Sequence, residues 1–112
     1  MLDNIISKND IIKINKDIDS GIVKNDSIES CYLSIYYYDT PELSVSSVFR
    51  SLCKNHYFND GNKRTACMCL CILCEYNDIR LNLSNNKLEK IALEVSNNHY
   101  DVDQICKMIF NK

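Results

Sequence analysis

Two glycines and one proline in 112 residues leave this chain short of the residues that build tight turns. Sandwiches and barrels need many turns, so the shortage argues against an all-β architecture and for helices. A basic excess is missing too. Thirteen Lys and Arg stand against fifteen Asp and Glu, a formal net charge of −2, and the cations are spread along the chain rather than gathered in a stripe. That balance disfavours a dedicated nucleic-acid binder and leaves room only for a local cationic pocket. No apolar run is long enough to span a bilayer: the longest, Ala66 to Cys74, is ended by Glu75. Met1-Leu2-Asp3-Asn4 puts an acid and an amide where a secretion signal carries basic and apolar residues. The expectation is a cytoplasmic protein without membrane or nucleic-acid partners.

The seven cysteines (31, 53, 67, 69, 71, 74 and 106) are odd in number and come without a secretion signal, which argues against a disulfide framework. Cys71 and Cys74 have zinc-ligand spacing, but no second pair or histidines follow at finger spacing. On a helix, Cys67, Cys71 and Cys74 would share one face while Cys69 points elsewhere. They read as small buried groups of a core helix.

The length suits one domain, here residues 1–112, and the apolar and charged fractions, 46% and 25%, are those of a chain that buries a core. Ser7 caps a helix with Ile11, Ile14 and Ile18 on one stripe, stopped near Ser20-Gly21. Asp26-Ser27-Ile28-Glu29 has the form of a capping box, followed by Ile28, Cys31, Tyr32 and Ile35 at helical spacing. Tyr36-Tyr37-Tyr38-Asp39 is irregular. Thr40 caps the next helix, with Pro41 in its first turn and Val45, Val48, Phe49, Leu52 and Cys53 on its apolar face. After a loop from Asn55 to Gly61 a helix starts at Asn62 and is apolar nearly all round from Ala66 to Cys74, as a central buried helix is. Ile79 to Leu83 alternates as a short link. Ser84 and Asp101 then cap two more helices. The sum is a compact all-α bundle of about six helices.

Chemistry concentrates in His56-Tyr57-Phe58-Asn59-Asp60-Gly61-Asn62-Lys63-Arg64-Thr65. A helix start offers free N–H groups and partial positive charge, so it is a seat for phosphate. Gly61 lets the backbone bend sharply there and lets a ligand approach. Asn62 adds an amide donor, Lys63 a point charge, and Arg64 a planar fork for phosphate oxygens. Asp60 is suited to a Mg²⁺ that bridges phosphates. His56 is the side chain of this stretch able to take a proton near neutral pH. Phe58 reads as the anchor of the loop.

These ten residues resemble the Fic/Doc signature H-x-F-x-[DE]-[AG]-N-[GK]-R, and most of all its Doc (death-on-curing) form, H-x-F-x-D-[AG]-N-K-R-T. The resemblance implies an all-helical fold and an enzyme that uses Mg²⁺ and ATP, or another nucleoside triphosphate, to modify a protein hydroxyl. By it His56 is the general base and Asp60 the Mg²⁺ ligand. Gly61, Asn62 and Thr65 fall in the phosphate cradle, with Lys63 and Arg64 countering its charge. The Tyr36 to Thr40 strip corresponds to the flap that aligns the target. Fic adenylyltransferases have Gly at the place of Lys63 and a second Arg at the place of Cys67. Without these the resemblance points to a Doc-like kinase, acting on a Ser or Thr of elongation factor Tu, blocking translation and restrained by a Phd-like antitoxin. Transfer of AMP or UMP is the alternative chemistry, and a non-catalytic relative that binds nucleotide or partner is the alternative class.

Overall fold

The structure, a computed structural model, describes residues 2, 4–25, 27–28 and 37–111. Five helices stand among them: α1 (Lys8–Ile18), α2 (Pro41–Lys54), α3 (Asn62–Tyr76), α4 (Asn85–Asn97) and α5 (Val102–Phe110). The further helix expected from Asp26 to Ile35 falls almost wholly outside the described residues, although Ile28 is fully buried.

Four of the helix starts are where the capping residues put them. The hydroxyl of Ser7 accepts from the Asp10 N–H while the Asp10 carboxylate accepts from the Ser7 N–H, a reciprocal box that also holds the Asp10 carboxyl below its usual range. Thr40, Ser84 and Asp101 cap α2, α4 and α5 through their side chains, and Gln104 completes a second box with Asp101. Each cap supplies an acceptor for a backbone N–H that the helix cannot satisfy itself, an effect typically of about 1 kcal/mol.

The core gathers Ile11 from α1, Val45, Val48, Phe49 and Leu52 from α2, Leu70 and Leu73 from α3, Leu88 and Val95 from α4 and Ile105 from α5. The centre of the bundle is shared. α2 packs against α3, α4 and α5, and α3 packs against α1, α2 and α4. This corrects the expectation of one wrapped central helix. Cys67 and Cys71 are only half-buried and Met68 is 48% exposed, so one face of α3 stays open. The uniform apolarity of Ala66 to Cys74 came largely from Cys and Met, which tolerate such a face. The serines of α2 carry the opposite lesson. Ser46 and Ser47 are buried, and their hydroxyls donate to the carbonyls of Glu42 and Ser44 in their own helix. The link from Ile79 to Leu83 lays its three apolar side chains on the core, as its alternation predicted.

Cys53, Cys69, Cys74 and Cys106 are buried, and Cys31 lies outside the described residues. Burial pushes the thiols of Cys67 and Cys74 up to about 12, and those of Cys53 and Cys71 up as well. An unfolded chain ionises them near their ordinary value, about 8.5. Above that pH the unfolded state binds fewer protons than the native state, so stability held at neutral pH falls as pH rises towards 12. The urea midpoint should accordingly drop from about pH 8.5 upward, less steeply in Cys67→Ala. Equal slopes in the two chains would contradict this account.

Candidate active site

The loop between α2 and α3 is held from three sides. α2 ends at Lys54, and the Asn55 N–H closes it by donating to the Ser51 carbonyl. Tyr57 and Phe58 then turn inward and are buried. The Tyr57 hydroxyl lies 2.6 Å from Ser51 Oγ and accepts from Asn55 Nδ2 at 3.0 Å. Residues 22–25 run antiparallel to the loop. Asn59 N–H donates to the Ile22 carbonyl, Lys24 N–H donates to the Tyr57 carbonyl, and Val23 forms a bridge with Phe58. From the other end, Asn62 clamps Phe58. Its Oδ1 accepts from the Phe58 N–H and its Nδ2 donates to the Phe58 carbonyl, both at 3.0 Å.

The third support comes from α1. Asn15 is fully buried, its Nδ2 donating to the Asp60 carbonyl at 2.9 Å and to Thr65 Oγ1 at 3.0 Å. Its Oδ1 accepts from the Gly21 N–H at 3.0 Å. One amide thus joins the exit of α1, the loop and the first turn of α3.

Above these supports the start of α3 is open. Its cap position is Gly61, in the left-handed region (φ 71°), with no side-chain cap and no acid in the first turn. Thr65 is the first residue whose N–H donates back, to the Gly61 carbonyl at 2.9 Å, so the N–H groups of Asn62, Lys63 and Arg64 have no acceptor within the helix. The other four described helices are all capped. Lys63 and Arg64 are exposed, and neither side chain is hydrogen-bonded or ion-paired to a described residue. Partial positive charge and two exposed cations converge on a hollow of about 270 Å³ lined by Gly61, Asn62, Lys63 and Arg64, with Ile18 and two carboxylates, Asp19 and Asp60, completing its wall. That is unfavourable for the helix alone and favourable for an anion.

Asp60 sits at the rim. Its Oδ1 accepts from the Gly61 N–H at 2.8 Å, which leaves the second carboxylate oxygen available. Among the described residues no group of three or more acids, histidines or cysteines is placed to hold a metal. One carboxylate beside an anion seat fits Mg²⁺, which takes few protein ligands and completes its shell with phosphate oxygens and water. His56 precedes the two buried aromatics, exposed and with φ 47°, in the left-handed region. It does not line the 270 Å³ hollow.

Three of the expected site residues also pack within the fold. Asn62 places its Oδ1 and one Nδ2 hydrogen on Phe58, so it positions the loop and keeps its second Nδ2 hydrogen as a donor at the hollow. Gly61 does bend the chain, but a Cβ there would meet Ile18 Cγ2 at 2.9 Å and Asn15 Nδ2 at 3.4 Å. The missing side chain makes room for α1 while the glycine backbone still lines the hollow. Thr65 is fully buried against Asn15, and a ligand in solvent does not reach it. Two supports went unread in the sequence. Asn15 was legible as the one polar side chain inside the Ile11, Ile14 and Ile18 stripe, whereas the pairing of 22–25 with the loop left no local signal. Of the strip before Thr40, Tyr37 is 83% exposed and Tyr38 half-buried, while Tyr36 lies outside the described residues.

A family model described as the Fic/DOC family matches residues 15–74, more than half of the chain. The matched stretch begins at the buried Asn15 and runs through the loop and most of α3. No curated protein matches the chain.

Proposed function

This chain belongs to the Fic/DOC family, whose members are generally transferases that modify proteins, and from that premise we propose that it is a Doc-like protein kinase. In this reading the γ-phosphate of ATP, or of another nucleoside triphosphate, passes to a Ser or Thr hydroxyl of a target, by resemblance elongation factor Tu, and translation stops. The observation that carries the reading is the uncapped start of α3 with Lys63 and Arg64 in its first turn. A polyphosphate is the anion that such a seat fits best.

The residues take the following parts. His56 accepts the proton of the target hydroxyl as its oxygen attacks the γ-phosphorus, and the bond from that phosphorus to the β-bridging oxygen breaks. The free N–H groups of α3, with Lys63 and Arg64, neutralise charge that grows on the phosphate oxygens. Asp60 would hold Mg²⁺, which supplies further charge neutralisation when bound. Asn62 and Asn15 keep the loop in place and touch no reacting atom.

Two features favour phosphate over nucleotide transfer. Lys63 fills the position where a glycine would open a hole for the α-phosphate. One turn beyond Arg64 stands the half-buried Cys67, which offers no cation to a leaving pyrophosphate. No described helix is long and apolar enough to cross a membrane. We place the protein in the cytoplasm, with a Phd-like antitoxin as its restraint. The test is the intact mass of elongation factor Tu after incubation with the chain and Mg²⁺-ATP. A gain of one phosphate is the expected result, and a gain of AMP would transfer the reading to nucleotidyl transfer.

A further inference from the structure

We propose that Asp19, at the exit of α1, is a specificity-determining residue of the site: it makes the seat at the start of α3 select a polyphosphate that carries a divalent cation over the bare anion. The inference rests on the proposed nucleotide-dependent transfer. It starts from two helix ends whose charges have the wrong sign for their own dipoles. Lys63 and Arg64 stand in the first turn of α3, where positive charge is unfavourable, and no acid accompanies them. Asp19 is the C-cap residue of α1, with Asp17 in the turn before it, and negative charge is unfavourable there. The fold brings these two ends together. Asp19 lines the 270 Å³ hollow beside Lys63 and Arg64, and its Cβ lies 3.6 Å from where a Cβ on Gly61 would stand.

Asp19 nevertheless makes no ion pair with Lys63 or Arg64, although all three line one hollow. Its Oδ2 accepts from Ser20 Oγ at 3.0 Å, and its Oδ1 has no partner among the described residues. Asp60 is held in the same way, by one donor on one oxygen. The hollow is therefore two-sided. Lys63, Arg64 and the N–H groups of α3 present positive charge, while Asp19 and Asp60 present negative charge.

A bare polyphosphate is negative on every side. Against this lining it gains from two cations and loses to two carboxylates, so the side chains give it little net attraction. A polyphosphate with a divalent cation on some of its oxygens is two-sided as well. Its metal and the waters around it can face the carboxylates, while the uncovered oxygens face Lys63, Arg64 and the N–H groups. Asp60 alone suffices as a ligand for that metal. Asp19 adds the repulsion that makes the bare anion a poor competitor. Asp17 is the internal control, since it is exposed in the same last turn of α1 and does not line the hollow.

The experiment compares calorimetric binding of Mg²⁺-ATP with that of ATP in the presence of EDTA, at low ionic strength. The unmodified chain, Asp19→Asn and Asp17→Asn are titrated side by side. In Asp19→Asn the affinity for metal-free ATP should rise about tenfold relative to that for Mg²⁺-ATP, and high salt should largely erase the change. Metal-free tripolyphosphate should gain by the same factor, because the nucleoside has no part in this discrimination. Asp17→Asn alters the net charge equally and should leave the ratio as it is. The amide at position 19 keeps an acceptor for Ser20 and removes an acid from a helix C-terminus, so the fold should persist, and circular dichroism checks it. An unchanged ratio in Asp19→Asn, or an equal change in Asp17→Asn, would overturn the role of Asp19 and leave the proposed transfer intact. An unmodified chain that binds neither form of ATP would overturn the proposed transfer, and this inference with it.

Discussion

His56→Asn should lower the rate of target modification by about 10²- to 10⁴-fold, the usual effect of removing a general base, with little change in fold or in Mg²⁺-ATP affinity. Asparagine is the informative replacement because of the backbone. At φ 47° His56 occupies a conformation that most side chains avoid and that histidine and asparagine both tolerate. His56→Ala would add a backbone penalty of roughly 1 kcal/mol to the loss of the imidazole and so mix two causes. The neighbours keep this conformation in place. Asn55 ends α2 on one side, and Tyr57 and Phe58 are buried on the other. An exposed imidazole on a fixed stem can meet a hydroxyl brought by another protein. Intact-mass time courses with the two chains give the ratio. A ratio near one, in a variant with an unchanged urea midpoint, would remove His56 from the reaction.

How much of this was readable depends on whether a feature is local. The caps Ser7, Thr40, Ser84 and Asp101 act over three or four residues, and each helix they announced is where they put it. The start of α3 was readable for the same reason, since glycine followed by Asn62, Lys63 and Arg64 is a statement about one turn of helix. Long-range partners were not. Asn15 lies 45 residues from Asp60 and 50 from Thr65 in the chain. Nothing within its own helix says which donors and acceptors it will meet. The same holds for Gly61, whose missing side chain answers a contact from Ile18. The degree of burial of α3 was misread because Cys and Met count as apolar in a helical pattern yet tolerate a half-open face. Nor does any local signal show that the Asn62 amide clamps the Phe58 backbone.

Asn15→Ala should damage both stability and activity. The side chain is fully buried and makes three hydrogen bonds, to the Asp60 carbonyl, Thr65 Oγ1 and the Gly21 N–H. Truncation removes all three and leaves a cavity with polar groups around it, for which about 2–4 kcal/mol is expected. For a domain of this size that is roughly 10–20 °C in Tm. Asn4 makes a useful contrast. Its backbone N–H and carbonyl bond the Asn77 side chain and its own Nδ2 donates to the Tyr76 carbonyl; Asn4→Ala removes only that last, exposed bond and should cost at most about 1 kcal/mol. Stability is half of the expectation. Asn15 also holds the carbonyl of the residue proposed to bind Mg²⁺, and it braces the turn whose N–H groups form the anion seat. Asn15→Ala should therefore lose activity at temperatures where urea titration shows it still folded, because a displaced loop misplaces Asp60 and His56. If the variant loses stability and keeps its full rate per folded molecule, Asn15 is a core residue alone. If it loses both, the buried amide of α1 sets the geometry of a site that it never touches.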